Sequence, residues 1–226
     1  MREIVLDTET TGLDPNAGHR IIEIGCVELY NHVATGRTYH VYVDPERDVP
    51  EDAYKVHGLD RAFLRQYPTF ASRADAFLAF IDDAPLVIHN AQFDMNFLNA
   101  ELGWHGRPTL PMSRAIDTVE MARRRFPGAQ VNLDALCKRF EIDNSGRDLH
   151  GALLDCQLLA EVYLELRGGR QPGLALASDA RTAAADQQMA RTERPYREPR
   201  PHAPSEAERS AHAAMLDKLK NPLWRQ

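Results

Sequence analysis

The sequence predicts an α/β fold: a mixed five-stranded sheet flanked by helices, followed by a flexible C-terminal tail. Three observations point there. Three strand-like runs follow one another at the start of the chain, helical and strand-like patterns then alternate to about residue 168, and the composition changes after Gly168-Gly169. Consecutive strands favour antiparallel neighbours and strands separated by helices favour parallel ones, so the combination specifies a mixed sheet covered by helices.

The first three strands are Arg2 to Leu6, Ile21 to Tyr30 and Arg37 to Val43, rich in Ile, Val, Leu and Tyr with turn residues between them. Helical stretches at Pro50 to His57 and Phe70 to Ile81 precede a buried-type strand, Pro85 to Ile88. A helix from about Ala91 to Leu102, a short strand near Ala115 to Asp117 and three more helical stretches complete a domain over residues 1–168. Residues 169–204 are rich in Pro, Ala, Arg, Gln and Thr with Tyr196 as the single aromatic, too little apolar surface to offset the entropy of ordering, and read as a flexible linker. Order resumes at Ser205, where Ser205-Glu206-Ala207-Glu208 is a capping box and Ala211, Ala214, Met215 and Leu219 form one weakly apolar helical face. The last residues hold an exposed Leu223-Trp224 pair on a tail with no core to join, which reads as an anchor for a partner.

A chain of 226 residues with 43% hydrophobic content supports one well-packed domain plus something smaller. Apolar runs are only a few residues long and the start is charged, so neither a membrane span nor a secretory signal is expected. Cys26, Cys137 and Cys156 have no metal-type spacing and are odd in number, so a reducing, cytoplasmic setting is expected. Residues 1–168 hold 17 Lys and Arg against 26 Asp and Glu, a net of −9, whereas residues 169–226 hold 10 against 7, a net of +3. A net-acidic body is a poor stand-alone binder of polyanions, so a nucleic-acid substrate would need metal ions in the site and help in delivery.

The chemistry begins at Asp7 and Glu9. Strand side chains alternate, so these two carboxylates share one face at the end of the first strand, where they repel unless a cation joins them. Hard oxygen ligands of this kind suit Mg2+ or Mn2+. Spacing alone does not carry the point: Asp44-Pro45-Glu46 repeats it, but with a proline in a polar stretch, and reads as a solvated loop. Asp94 and Asp155 each intrude on an apolar helical stripe, the first beside Phe97 and Leu98, the second beside Leu159, Val162 and Leu166. A carboxylate so placed costs several kcal/mol unless it is hydrogen-bonded or holds a metal. His150 lies just before the last of these helices, followed by Gly151, where an imidazole can take a proton from water near the acids. His19, His32, His40, His105, His202 and His212 read as structural or solvated, and His89 and Asp117, near the motifs, receive no role.

Asp7-Thr8-Glu9, Asp94 within His89-Asn90-Ala91-Gln92-Phe93-Asp94, and His150 with Asp155 five residues on resemble the three motifs of the DEDDh exonucleases, whose fold is ribonuclease-H-like. Within that class, Val56-His57-Gly58-Leu59, Asn132 to Cys137, Glu141 to Asn144 and Leu149 to Asp155 resemble the epsilon-subunit family of bacterial DNA polymerase III, 3'-to-5' proofreaders of newly made DNA. The resemblance implies two-metal hydrolysis of the terminal phosphodiester: Asp7 bridging both ions, Glu9 and Asp155 completing one, Asp94 helping to hold the second, His150 as general base, and 5'-mononucleotides as product. It implies Thr10, Leu13, His57 and Phe93 as contacts to the terminal nucleotide of a single-stranded 3' end. It also implies a sliding-clamp contact through residues 171–176, with Gln171, Leu174 and Leu176, and a contact of Leu223 and Trp224 with the polymerase (alpha) subunit. Two other roles compete: RNA trimming by the same catalytic set, and a non-enzymatic adaptor between clamp and polymerase. An adaptor has no need of five complete catalytic positions.

Overall fold

The computed structural model describes residues 1–147, 149–169 and 203–219. The chain divides into two units, Met1–Leu174 and Ala175–Gln226. The expected clamp peptide at 171–176, nearly all of the expected linker, and Leu223 and Trp224 lie outside the described residues.

In the first unit the strands are β1 (Arg2–Thr10), β2 (Ile21–Tyr30), β3 (Val33–Tyr42), β4 (Leu86–Ile88) and β5 (Ala115–Asp117). They form one sheet in the order β3-β2-β1-β4-β5, antiparallel across the first three and parallel from β1 to β4 to β5. The helices are α1 (Glu51–His57), α2 (Arg61–Leu64), α3 (Phe70–Ile81), α4 (Ala91–Trp104), α5 (Thr118–Arg125), α6 (Leu133–Phe140) and α7 (Ala152–Leu166). This is the mixed five-stranded sheet that the sequence predicts. Two strands are longer than expected: β3 starts at Val33 and β1 runs on to Thr10, because β2 continues to pair with both beyond their apolar cores.

Alternation along β1 separates two cores. Ile4 and Leu6 face α3 and α4 and pack among Phe70, Phe77, Met95 and Phe97, whereas Val5 faces α6 and α7 and packs among Leu136, Leu159, Val162 and Tyr163. Each of these buried side chains contributes about 1.5–3 kcal/mol by leaving water. Both helices that carry an acid of interest are fastened to the sheet by a buried carboxylate. Glu101 on α4 accepts two bonds from Arg20 at 2.8 Å each and one from the Ile21 amide at 3.2 Å, and Glu3 on β1 accepts from the Tyr163 hydroxyl on α7 at 2.7 Å.

The closest approach of helix to sheet is at Gly25. A Cβ there would lie 2.4 Å from the carbonyl carbon and oxygen of Ala152, and the Cys156 thiol donates to the Gly25 carbonyl at 3.2 Å. Gly25 faces Asp7 in the β1–β2 register, so the missing side chain lets the first turn of α7 settle beside Asp7.

In the second unit, α8 (Glu206–Leu216) is capped as the sequence predicts: Ser205 Oγ accepts from the Glu208 amide, and the Glu208 carboxylate accepts from the Ser205 amide at 2.7 Å. Among the described residues no helix is long and apolar enough to cross a membrane.

Gly25→Ala is expected to lower unfolding stability by about 1–3 kcal/mol, the cost of overpacking against a backbone that cannot yield, and to displace Asp155. Denaturant titration checks this; an unchanged midpoint would mean that α7 does not depend on the gap.

Candidate active site

The site forms where β1 outruns its neighbour. β1 pairs with β4 only through Ile4 and Val5, yet pairs with β2 as far as Thr10, with a bulge between Glu9 and Thr10. From Leu6 onward one edge of β1 is therefore free of β4, and the start of α4 fills the opening. The Thr8 amide donates to Asp94 Oδ1 at 2.9 Å and the Thr8 hydroxyl donates to the same oxygen at 2.8 Å. Asp117 holds α4 in place: its Oδ2 accepts from the Ala91 amide at 3.0 Å while its Oδ1 accepts from the Val119 amide at 2.8 Å, capping α4 and α5 together. His89 Nδ1 lies 2.9 Å from the Thr118 hydroxyl, tying the end of β4 to α5.

From the other face α7 brings Asp155, buried in its first turn. Arg147 grips it with both arms, Nε to Oδ1 at 2.5 Å and Nη2 to Oδ2 at 2.6 Å, and its Nη1 donates to Asp134 of α6 at 2.8 Å. His150 Nδ1 is 3.2 Å from Asp155 Oδ2 and 2.8 Å from Arg147 Nη2. The imidazole is about half exposed, and its own amide donates to the Val56 carbonyl at 3.0 Å, which fixes the loop before α7 against the end of α1. The Leu149 side chain lies over Gly58, where a Cβ would approach it to 2.7 Å and where φ is +72°.

The acids sense one another. Burial first, then the charge of Asp94, Glu9 and Asp155, holds the Asp7 carboxyl well above the usual carboxylate range. Burial together with Glu23 and Asp155 pushes Glu9 up to about 8. Asp94 is pushed by burial to about 7, even though the two Thr8 bonds pull the other way. For Asp155 burial is outweighed by the hydrogen bonds from Arg147 and His150, and its carboxyl lies below the usual range. Ligand atoms of Glu9, His150 and Asp155 all lie within 4.8 Å of one another. Hard oxygen donors raised by burial and by neighbouring charge fit divalent metal ions, whose charge would favour their ionised form.

Beside Glu9 a cavity of about 630 Å3 is lined by Thr10, Leu13, His57 and Phe93, the four residues expected at the terminal nucleotide. Leu13 is 84% exposed at its rim, and Phe93 is half-buried, tilted against Phe97 with ring centres 5.0 Å apart. The Thr10 hydroxyl donates to the Gly12 carbonyl at 2.6 Å, shaping the turn after β1. His57 is buried and held neutral by that burial; its Nδ1 accepts from the Leu59 amide at 3.0 Å, which leaves the proton on Nε2. That Nε2–H has no partner among the described residues.

The structure therefore brings together Asp7, Glu9, Asp94, Asp155 and His150, and places the four expected nucleotide contacts around the adjoining cavity. It adds residues that the sequence did not mark. Thr8, between the two strand acids, is the one that positions Asp94. Arg147 comes from a polar loop with no periodicity. Glu23, opposite Glu9 on β2 and bonded to His40 at 2.6 Å, had only its apolar surroundings as a signal. His19, read as structural or solvated, stands in the cavity wall over Gly12, its Nδ1 3.2 Å from the Thr11 hydroxyl. The Asp44 and Glu46 pair takes no part, but Asp44 is not the solvated acid expected: it is half-buried, pairs with Arg61 and accepts from the Glu46 amide at 2.8 Å, closing a turn.

Residues 4–163 match the exonuclease family model. The chain is 61% identical over 174 residues to the DNA polymerase III subunit epsilon of Rickettsia felis, covering 76% of each chain. It is 44% identical over 237 residues to the subunit of the same name from Escherichia coli K12, covering 99% of this chain and 97% of the other. Among solved structures, the nuclease domain of 3'hExo, a DEDDh family member bound to rAMP, superposes with a TM-score of 0.64 at 20% identity, covering 74% of this chain and 91% of that one. Exonuclease X in complex with 5' overhanging duplex DNA gives 0.56 at 25%, covering 72% and 89%. With its four acids and histidine set at the end of β1 in a ribonuclease-H-like sheet, the chain belongs to the epsilon-subunit family of bacterial DNA polymerase III, the proofreading 3'-to-5' exonucleases.

Proposed function

We propose that the chain removes nucleotides one at a time from a single-stranded 3' end of DNA, with Asp7, Glu9, Asp94 and Asp155 as metal ligands and His150 as general base. The observation that carries this is the gathering of four carboxylates that sense one another's charge, two of them with the half-exposed His150 imidazole within 4.8 Å, where Glu9 lines a cavity of about 630 Å3. Two divalent ions, Mg2+ or Mn2+, held by these carboxylates would supply Lewis acidity to the attacking water and to the departing 3' oxygen. Asp7, repelled by both Glu9 and Asp94, would share in holding the ions. His150, when its Nδ1–H donates to Asp155, presents Nε2 as the acceptor for the proton of the water that attacks phosphorus. The P–O3' bond breaks, the 3' oxygen takes up a proton, and a 5'-mononucleotide leaves.

The cavity orients the terminal nucleotide without reading it. Phe93 and Leu13 offer an aromatic face and an exposed aliphatic wedge, contacts that tolerate any base. The free His57 Nε2–H is a neutral donor for a sugar or phosphate oxygen. A mispaired end frays more readily than a paired one, so a site that takes a single strand removes errors preferentially. The chain would work in the cytoplasm with the polymerase (alpha) subunit bound through Leu223 and Trp224 and the sliding clamp through Gln171, Leu174 and Leu176. In support, similarity to the E. coli subunit extends over nearly the whole chain, beyond the nuclease domain.

Asp7→Ala is expected to abolish Mg2+-dependent release of 5'-mononucleotides from a single-stranded oligomer, and His150→Ala to slow it by about 10²–10⁴-fold. Wild type is expected to degrade single strands much faster than matched duplex. Equal rates on the two would sink the fraying account, and a fully active Asp7→Ala would sink the site assignment.

Stability in a chelator follows from the raised carboxyls. Glu9 at about 8 and Asp94 at about 7 lie above their ordinary values of 4.5 and 3.8, so between these limits the folded chain binds more protons than the unfolded one. That stabilisation is complete below the ordinary values of 3.8 and 4.5, is lost progressively as pH rises above them, and is gone once pH has passed the folded values of about 7 and about 8. The thermal midpoint in EDTA is expected to fall over this range, and Mn2+ to restore it in wild type but not in Asp7→Ala; a flat profile in EDTA would contradict the repulsion.

A further inference from the structure

Residues 1–168 have a net charge of −9, yet five of their 17 cations lie between residues 123 and 139. Arg123, Arg124 and Arg125 end α5, and Lys138 and Arg139 lie in the last turn of α6, all exposed. Arg124 pairs with Glu120 at 3.1 Å, but Arg123, Lys138 and Arg139 have no carboxylate partner among the described residues. The guanidinium of Arg139 lies 4.6 Å from the centre of the Phe126 ring, and that of Arg125 lies 5.5 and 5.6 Å from the Phe126 and Phe140 rings. A guanidinium stacked in this way is ordered in advance and keeps its N–H edge for an anion. Lys138 and Arg139 also line a groove of about 540 Å3 with Ala129, Gln130 and Ala135.

The groove adjoins the active site through α6. Asp134, in the first turn of that helix, accepts from Arg147, the residue that holds Asp155. Lys138 is four residues on, on the same helix face and about 6 Å further along. Arg147 is engaged by Asp155 and Asp134, so along α6 the next cations, and the ones without a carboxylate partner among the described residues, are Lys138 and Arg139.

We propose that this groove binds the phosphates of the DNA strand being trimmed, upstream of its 3' end, through Lys138 and Arg139. It rests on the exonuclease reading of the neighbouring site and deepens it. Acids at the centre and cations along α6 divide the work: the acids would hold the metal ions that attract the scissile phosphate, and the groove holds the strand between successive cuts.

The test uses the full chain, with a single-stranded oligothymidylate long enough to cross α6 and with a thymidine dinucleotide too short to reach it. In Lys138→Gln/Arg139→Gln, KM for the long strand is expected to rise roughly tenfold and the slope of log(kcat/KM) against log salt to shrink by about 1.4, near 0.7 for each lost phosphate contact. The dinucleotide is expected to show neither change. Lys138→Glu, which removes no ring contact, is expected to raise KM for the long strand and to shrink the slope by about 0.7, again with the dinucleotide unaffected, should the double variant fold poorly. An unchanged KM and salt slope on the long strand, or equal losses on both substrates, would overturn the proposal. So would weakened binding of the polymerase subunit with oligomer kinetics intact, which would assign the groove to a protein. Wild type inactive on both substrates would instead refute the exonuclease reading itself.

Discussion

Four carboxylates converge on the last residues of one strand, and their repulsion is the constraint around which the rest is arranged. Three of them are raised out of the usual range by burial, with the charge of the other acids adding at Asp7 and Glu9, and the fourth stays below it because Arg147 holds both of its oxygens. Such a cluster costs stability in the bare chain, and the surrounding fold must be rigid enough to hold it. A divalent cation among them would relieve that repulsion.

Rigidity comes from fastening each acid-bearing helix twice. α4 is held at its start by Asp117 and further along by the Glu101–Arg20 pair. α7 is seated on Gly25 at its start and tied near its end by Tyr163 to Glu3. The sheet contributes an asymmetry: β2 follows β1 to Thr10 while β4 leaves it after Val5, so the end of β1 is supported on one edge and open to α4 on the other. Asp7 and Glu9 point to the α7 face, Thr8 to the α4 face, and acids from both layers meet at the strand end.

Much of this was legible in the sequence, for physical reasons that can be named residue by residue. Asp7 and Glu9 follow from the period of a strand, and Asp94 and Asp155 stand out as charges on apolar helical stripes, where an unpaired carboxylate is too costly to be incidental. What remained hidden lacks a period. Arg147 lies in a loop whose neighbours in sequence are polar, and nothing local says that its guanidinium closes on an acid eight residues away. Asp117 reads only as a strand end until two helix starts are seen to share it. Asp44 and Glu46, identical in spacing to Asp7 and Glu9, differ in that Asp44 caps a turn and pairs with Arg61.

The sequence by itself determined the elements, the two faces of β1, the four acids and the histidine, because these depend on backbone periodicity and on the cost of burying charge. Tertiary structure alone decided which contacts tune them: Thr8 on Asp94, Arg147 on Asp155, Glu23 opposite Glu9, His57 turned so that its Nε2–H is free, and His19 over Gly12. Those contacts join residues far apart in the chain, and they exist only where β1 passes its neighbour and two helices close on its end. Local propensity carries no information about that meeting, because it arises from the relative lengths of strands that the chain brings together only on folding.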